Sequence, residues 1–232
     1  MPVPPPCGTL WGMSTPFSEE PETAHLLDLA SGGDAAAAGI LLDRHRDRLT
    51  RMVRLRLDRR VRGRVGVSDV IQEVHLEASQ RLDEYLRSPK VPFYVWLRFI
   101  AAQRVLILHR RHIRAQGRAV GREEALEGVA GAAATSVSLA AELIGRETSP
   151  TRAAARAEMR ERLAEALEAM EPIDREVLAL RHFEELSNVD AARVLGLESD
   201  AASKRYVRAL RRLKGILAGL GLRDEAGGRR GG

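Results

Sequence analysis

Apolar residues recur along most of the chain at intervals of three and four, the period of an α-helix with one buried face. The first such run starts at Glu22, carries Leu26, Leu27, Leu29 and Ala30, and breaks at Ser31-Gly32-Gly33. Asp34 is placed to cap a second helix with Ile40, Leu41, Leu49, Met52, Val53 and Leu57 inward. The opposite face is dense in arginine (Arg44, Arg46, Arg48, Arg51, Arg54, Arg56, Arg59, Arg60), which suits either phosphate or partner contact or plain solvation. Ser68 and Asp69 suit the start of a third helix, with Ile71, Val74, Ala78, Leu82 and Tyr85 on its inner face. Asp69, Gln72, Glu73 and Leu76 project away from that face as an acidic-polar patch with one leucine. Trp96, Leu97, Ile100 and Val105 share a further helical face. A helix from Thr151 turns Met159, Leu163, Ala166, Leu167 and Met170 inward. Strand signals are weak throughout, so the predicted class is all-α.

The stretch from Pro172 to Leu217 has more internal punctuation. Pro172 fits the first turn of a helix, where its missing N–H costs nothing. Ile173, Val177, Leu178 and Leu180 form an apolar face that ends near Phe183. Ser187 opens the next helix and pairs with Asp190 as in a capping box. Val189, Ala192 and Leu195 are expected inward. Gly196 stands where a helix end wants a left-handed residue, and Leu197 supplies the closing apolar contact. Glu198-Ser199-Asp200 then starts a long helix. Its expected inner face is Ala202, Tyr206, Ala209, Leu210 and Leu213. Lys204, Arg208 and Arg211 form an outer strip, with Ser203, Arg205 and Arg212 beside it. From Asp200 to Lys214 there are six basic residues and one acidic. A short helix, a glycine turn and a basic second helix match the helix-turn-helix, whose second helix enters the DNA major groove. A solvated helix on a bundle would share the basic face, but not the cap and the turn in that order.

Charge agrees with a polyanionic partner: the net charge is +5 and the pI about 9.9. Only Lys90, Lys204 and Lys214 are lysines. A GC-rich genome would explain the choice of arginine, but not where the arginines cluster. Cys7 is the single cysteine, so one chain can build neither an internal disulfide nor a cysteine zinc site. The N-terminus lacks a secretory pattern and no apolar run approaches a membrane span, so a cytoplasmic protein is expected. No phosphate loop, nucleophile elbow or carboxylate pair stands out, so neither an enzyme nor a cofactor or metal is expected. His109 and His112 are expected as surface histidines.

Phe93, Tyr94, Trp96 and Phe99 are four of nine aromatics, within seven residues. Arg98, Arg104, Arg110, Arg111 and Arg114 interleave or follow. Rings beside arginines suit single-stranded nucleic acid, with bases on the rings and guanidiniums on the backbone. Some of these rings must be core, and a split is expected, with two buried and one or two at the surface.

Residues 117–152 carry little core pattern apart from Leu139, Leu143 and Ile144, which suit a short helix. The expected organisation is a disordered tail at 1–21, a helical domain at 22–116, a flexible linker at 117–152, a helix-turn-helix domain at 153–221 and a disordered tail at 222–232.

Three stretches together resemble the extracytoplasmic-function (ECF) group of bacterial RNA polymerase sigma factors, in the sigma-70 family. SDVIQEVHLEASQRLDEY is similar to the family's core-polymerase-binding helix. PFYVWLRFIAAQRVLILHRR is similar to its promoter-melting segment, and REVLALRHFEELSNVDAARVLGLESDAASKRYVRALRRLK to its promoter-reading domain. The resemblance implies core RNA polymerase and promoter DNA as partners, and allows an anti-sigma factor as a further one. It implies that Asp69, Gln72, Glu73 and Leu76 face the polymerase. It gives Phe93, Trp96, Arg98, Gln103, Arg104, Arg110 and Arg111 to the melted strand, and Ser203, Lys204, Arg205, Arg208, Arg211 and Arg212 to the upstream element. Gln103-Arg104 departs from the family's Arg-Asn, Glu198 stands where Ser is usual, and Asp190 stands where Glu is usual.

A free-standing helix-turn-helix regulator is the alternative, but it leaves Asp69 to Arg111 without a role. A helical protein-binding adaptor would leave the capped motif without one.

Overall fold

The structure, a computed structural model, describes residues 19–115, 134–145 and 150–221, the side chains of 59–60, 112–115 and 150–152 excepted. Among the described residues it is all-helical, with no strand. The readings of Cys7 and the rest of residues 1–18, of residues 222–232, and of the side chains of His112 and Arg114 lie outside them.

Helix α1 spans Pro21–Ser31, α2 Ala35–Arg44, α3 Arg46–Arg56, the short α4 Arg59–Arg62, α5 Val67–Arg87 and α6 Phe93–Ala115. Asp34 caps α2 by accepting from the backbone N–H groups of Ala36 and Ala37. One helix was expected from Asp34 to Leu57, but His45 divides it. The break resets the helical phase, so Leu41 and Leu49 are both fully buried while Ile40 is 58% exposed, against expectation. At α5, the Asp69 carboxylate accepts from the Gly66 N–H at 3.0 Å and closes the first turn.

The second half holds α7 (Ser136–Ile144), α8 (Pro150–Glu168), α9 (Pro172–Leu178), α10 (Asn188–Leu195) and α11 (Ser199–Gly219). Helix α7 falls in the expected linker. It is tied into the second core by Leu139 and Ala140, capped by Thr135, and packed on α3 and α8. Of the rest of that linker, 117–133 and 146–149 lie outside the described residues, and 150–152 open α8. Helix α9 runs into a widened π-helical turn, Ala179–Phe183, closed by the Glu184 N–H on the Ala179 carbonyl. Glu185 follows with φ +54°, a left-handed conformation unusual for a residue with a Cβ.

The two halves share their cores. Leu180, Leu186, Ala191 and Val194 are buried with the first bundle, and Leu55 of α3 is buried with α7 to α11. At the seam lies a buried charge quartet. Arg56 Nη2 is 2.6 Å from Glu184 Oε1 and also bonds Glu176. Arg98 reaches Glu176 at 2.8 Å and Glu184 at 3.0 Å. Two cations and two anions cancel, and the Ala134 N–H and the Tyr94 hydroxyl supply further bonds to Glu176 and Glu184. Losing one member would leave a buried charge uncompensated, a cost of about 3–5 kcal/mol. Around the quartet, Arg48 donates to the carbonyls of Glu184 and Glu185, and Arg51 to that of Phe183. Part of the arginine-rich face of α3 is therefore an internal seam, and Arg56 on it is fully buried.

Candidate nucleic-acid interface

The helix-turn-helix forms as its punctuation dictates. The Ser187 hydroxyl accepts from the Asp190 N–H at 3.0 Å. Gly196 takes φ +65°, and the Leu197 N–H returns to the Ala192 carbonyl at 2.9 Å. Asn188 then ties the two helices together, donating to the backbone and hydroxyl oxygens of Ser199 at 2.8 and 2.7 Å. Ala191, Ala192 and Val194 fill the inner face of α10 and Ala202, Ala209 and Leu213 that of α11. Val189 and Leu210 were expected inward, but both are exposed, because the small inner alanines set the phase of each helix.

On α11, Ser203, Lys204, Arg208 and Arg211 are exposed along the outer side. Lys204 pairs with Asp200 one turn back at 2.7 Å, an exposed contact of small energetic weight. Arg205 lies elsewhere: it is half-buried and bonds Glu171 at 2.9 Å and Asp174 at 2.7 Å, fastening α11 to the start of α9. The bonds from Arg205 hold the exposed Glu171 carboxyl below its usual range. Arg212 is exposed yet donates to the Ala169 carbonyl at 2.6 Å.

On α5, Asp69, Gln72, Glu73 and Leu76 share one exposed face, with Leu76 63% exposed.

On α6, Phe93 and Tyr94 are buried while Trp96 and Phe99 are partly exposed. Phe93 is locked by Tyr85, Trp96 and His45, with ring centroids 5.4–5.6 Å away. Burial raises the Tyr94 hydroxyl well above its usual range, and Glu184 adds to this. In this arrangement Phe93 and Arg98 are out of reach of a strand, since the second half covers Arg98 and the aromatic cluster holds Phe93. Gln103, Arg110 and Arg111 are exposed, and Arg104 pairs with Glu77 at 2.7 Å. Burial would raise the Glu176 carboxyl, but Arg56 and Arg98 outweigh it and hold it below its ordinary value. Sequence reasoning missed the partners of Arg98. Among the described residues no cluster of three His, Cys, Asp or Glu could hold a metal, and no helix is long and apolar enough to cross a membrane.

Residues 160–213 match the family described as Sigma-70, region 4. The chain is also similar to the solved structure of CnrH in complex with the cytosolic domain of CnrY. The identity there is 25%, the match covers 85% of this chain and 98% of that one, and the TM-score is 0.52. A weaker likeness, too slight to argue from, is to the sigma factor RpoE in complex with the anti-sigma factor NepR from Bartonella quintana, at 15% identity, covering 74% of this chain and 89% of that one, with a TM-score of 0.44. A sequence comparison with curated proteins finds no match. Residues 160–213 are thus similar to a sigma-70 region 4, and the chain as a whole resembles the ECF group of bacterial sigma factors.

Proposed function

We propose that the chain is a sigma factor that recruits core RNA polymerase to promoters and starts transcription, acting in the cytoplasm and not as an enzyme. The observation that carries this is the α10–α11 helix-turn-helix, with its exposed Ser203-Lys204-Arg208-Arg211 strip, inside the stretch that matches region 4. Helix α11 reads the upstream promoter element, with base contacts from its N-terminal half and phosphate contacts farther along. The α5 face from Asp69 to Leu76 docks on the polymerase. The α6 segment serves the melted strand with Trp96, Gln103, Arg104, Arg110 and Arg111, joined by Arg98 once the seam opens, while Phe93 stays in the aromatic cluster that shapes the helix start. CnrH was solved with the cytosolic domain of a partner protein, and an anti-sigma partner is part of the proposal for this chain too.

The test is a gel shift on a selected promoter fragment with and without core polymerase. A shift that needs core, together with permanganate-reactive thymines, supports the reading. An equal shift by the protein alone, with no opening, would instead identify a free-standing regulator.

A further inference from the structure

The connection from α4 to α5, Val61 to Val67, is rich in arginine and glycine and has no part in the sites described so far. It is firmly built. Val61 is buried and Val65 packs against the same core, while the N–H groups of Arg64 and Val65 both return to the Val61 carbonyl, at 2.9 and 3.0 Å. Arg62 turns inward and donates to the carbonyls of Leu57, at 2.9 Å, and of Arg54, and to the Ser138 hydroxyl at 2.8 Å. Arg64, inside the same turn, is left exposed.

The fold brings a second group of arginines to this end of the bundle. Helices α5 and α6 are joined by residues 88–92 and run antiparallel: the rings of Tyr85 and Trp96 have centroids 4.8 Å apart, and Arg104 reaches Glu77 at 2.7 Å. The same register sets Arg110 and Arg111 level with Val70 and Ile71, in the first turns of α5. His109 Nε2 accepts from the Asp58 N–H at 3.2 Å and ties the end of α6 to the start of α4. Arg64, Arg110 and Arg111 are all exposed. Among the described residues none of the three pairs with a carboxylate, whereas Arg44, Arg46, Arg81 and Arg104 of the same bundle all do. Asp58 and Asp69 are the acids on either side of the loop, and the Asp69 carboxylate is held by the Gly66 N–H.

Open guanidiniums on a fixed base fit a phosphate backbone, with little cost of ordering. The backbone they fit is that of a duplex. A single strand needs rings on which to stack. The rings of α6 end at Phe99, eleven residues and about 17 Å before Arg110. That distance spans about five base pairs of duplex.

We propose that Arg64 is a phosphate contact for duplex DNA at the edge of the opened stretch, next to the end of α6 where Arg110 and Arg111 meet the strand that leaves the duplex. The inference rests on the sigma-factor reading above for the presence of an opened promoter. It adds to that reading a second hold on duplex DNA, in the first half of the chain and independent of α11. The contact supplies affinity and no base preference, since a phosphate oxygen is the same at every position.

The experiment uses the full-length protein bound to core polymerase and two labelled probes: a fork in which duplex leads into a single strand, and the same strand without its complement. Neither probe carries the upstream element, so α11 is not engaged. Affinity is measured for the parent, R64A and R64K from about 50 to about 200 mM salt, and losing one phosphate contact on duplex lowers the slope of log affinity against log salt by about 0.9. R64A should therefore bind the fork several-fold more weakly at the low end, and the gap should shrink about 3.5-fold by the high end. R64K should keep the parent slope, because a lysine serves a phosphate as a point charge. On the strand alone R64A should match the parent, and the urea midpoints of the three proteins should coincide. Equal binding of the fork by R64A and the parent overturns the proposal. An equal loss on the strand alone also overturns it, by assigning Arg64 to the single strand. Loss of co-purification with core in R64A overturns it too, by making the loop a polymerase contact. A parent that holds core and binds the fork keeps the sigma-factor reading whatever R64A does, whereas a parent that fails at both defeats that reading and this contact with it.

Discussion

Arg205 and Asp174 meet at 2.7 Å across the angle between α11 and α9, and Glu171 joins them at 2.9 Å. Arg205 lies on the helix expected to meet DNA, one residue from Lys204, yet its guanidinium points back into the protein. One basic helix therefore has two duties. Under the proposed function, the exposed Lys204, Arg208 and Arg211 are left for DNA, while Arg205 fastens the helix that presents them to α9.

Arg205→Ala should therefore lower stability by about 1 kcal/mol, the value of a partly exposed pair with two carboxylates. It should leave base preference unchanged. Arg208→Ala should instead relax preference at one or two positions of the upstream element, since a bidentate base contact is worth about 1–3 kcal/mol. Arg211→Ala should weaken every sequence evenly and lower the salt slope by about one. A promoter-library selection with holoenzyme, beside urea melts of the free protein, separates the three. A preference change in Arg205→Ala would show that it leaves Asp174 to read DNA.

The turn of the motif gives a second pair. Ser187→Ala removes the hydroxyl that receives the Asp190 N–H, at a cost of about 1 kcal/mol. Gly196→Ala meets no atom within 4 Å of its new Cβ, so its cost is backbone strain alone at φ +65°. A positive φ of this kind costs an alanine about 1 kcal/mol. Both losses should appear as lower urea midpoints with unchanged slopes. A neutral Gly196→Ala would mean that the turn relaxes to another geometry.

These two residues were legible because their physics is local: a cap and a left-handed glycine are decided within a few positions. The seam was not, because Arg98 and Glu176 are 78 residues apart and neither neighbourhood names the other. A faint signal existed. Arg56 continues the spacing of Leu49, Met52 and Val53, and Arg98 that of Tyr94, Ala101 and Val105, so both arginines sit on apolar faces. An arginine in register with a buried face needs a buried anion, and the glutamates of REVLALRHFEE were the nearest candidates on an apolar helix. Nothing in the local sequence accounts for the π-helical turn at Ala179–Phe183. The ring split on α6 was readable as a number, two buried and two partly exposed, but the rings given to the strand included the buried Phe93.

The docking face needs a test that spares Asp69, whose carboxylate closes the first turn of α5 on Gly66. Reversing Asp69 would confuse a lost contact with a damaged helix. Leu76→Lys with Glu73→Lys avoids this, since both side chains are exposed. The double variant should lose at least tenfold in affinity for core polymerase, about 1.4 kcal/mol, with its melting temperature nearly unchanged. Undiminished co-purification would remove the α5 face from the proposal.

The last prediction concerns acid. His45 ends α2, lies 3% exposed, and sits 5.6 Å from the Phe93 ring and 5.7 Å from that of Tyr94. Its Nε2 is buried without a hydrogen-bond partner. Burial, then Arg48 and Arg44, lower its pKa from 6.5 to about 4, against the pull of Glu20. The folded imidazole is thus neutral at a pH where the unfolded one is charged. Between about 6.5 and 4 the unfolded chain binds the extra proton, so stability must fall as the pH falls through that window. The loss approaches roughly 3 kcal/mol at the low end, at 1.36 kcal/mol for each pH unit. Above pH 7 the group contributes no slope. Carboxylates titrate near the bottom of the same window, so the comparison is with His45→Gln, which keeps a polar side chain of similar reach and cannot titrate. Urea melts of the two proteins from pH 7.5 to 4.5 should diverge, with the parent losing more with each step below 6.5. Parallel curves would mean that the ring takes up its proton in place, and that the space between α2, α3 and α6 is wetter than its burial implies.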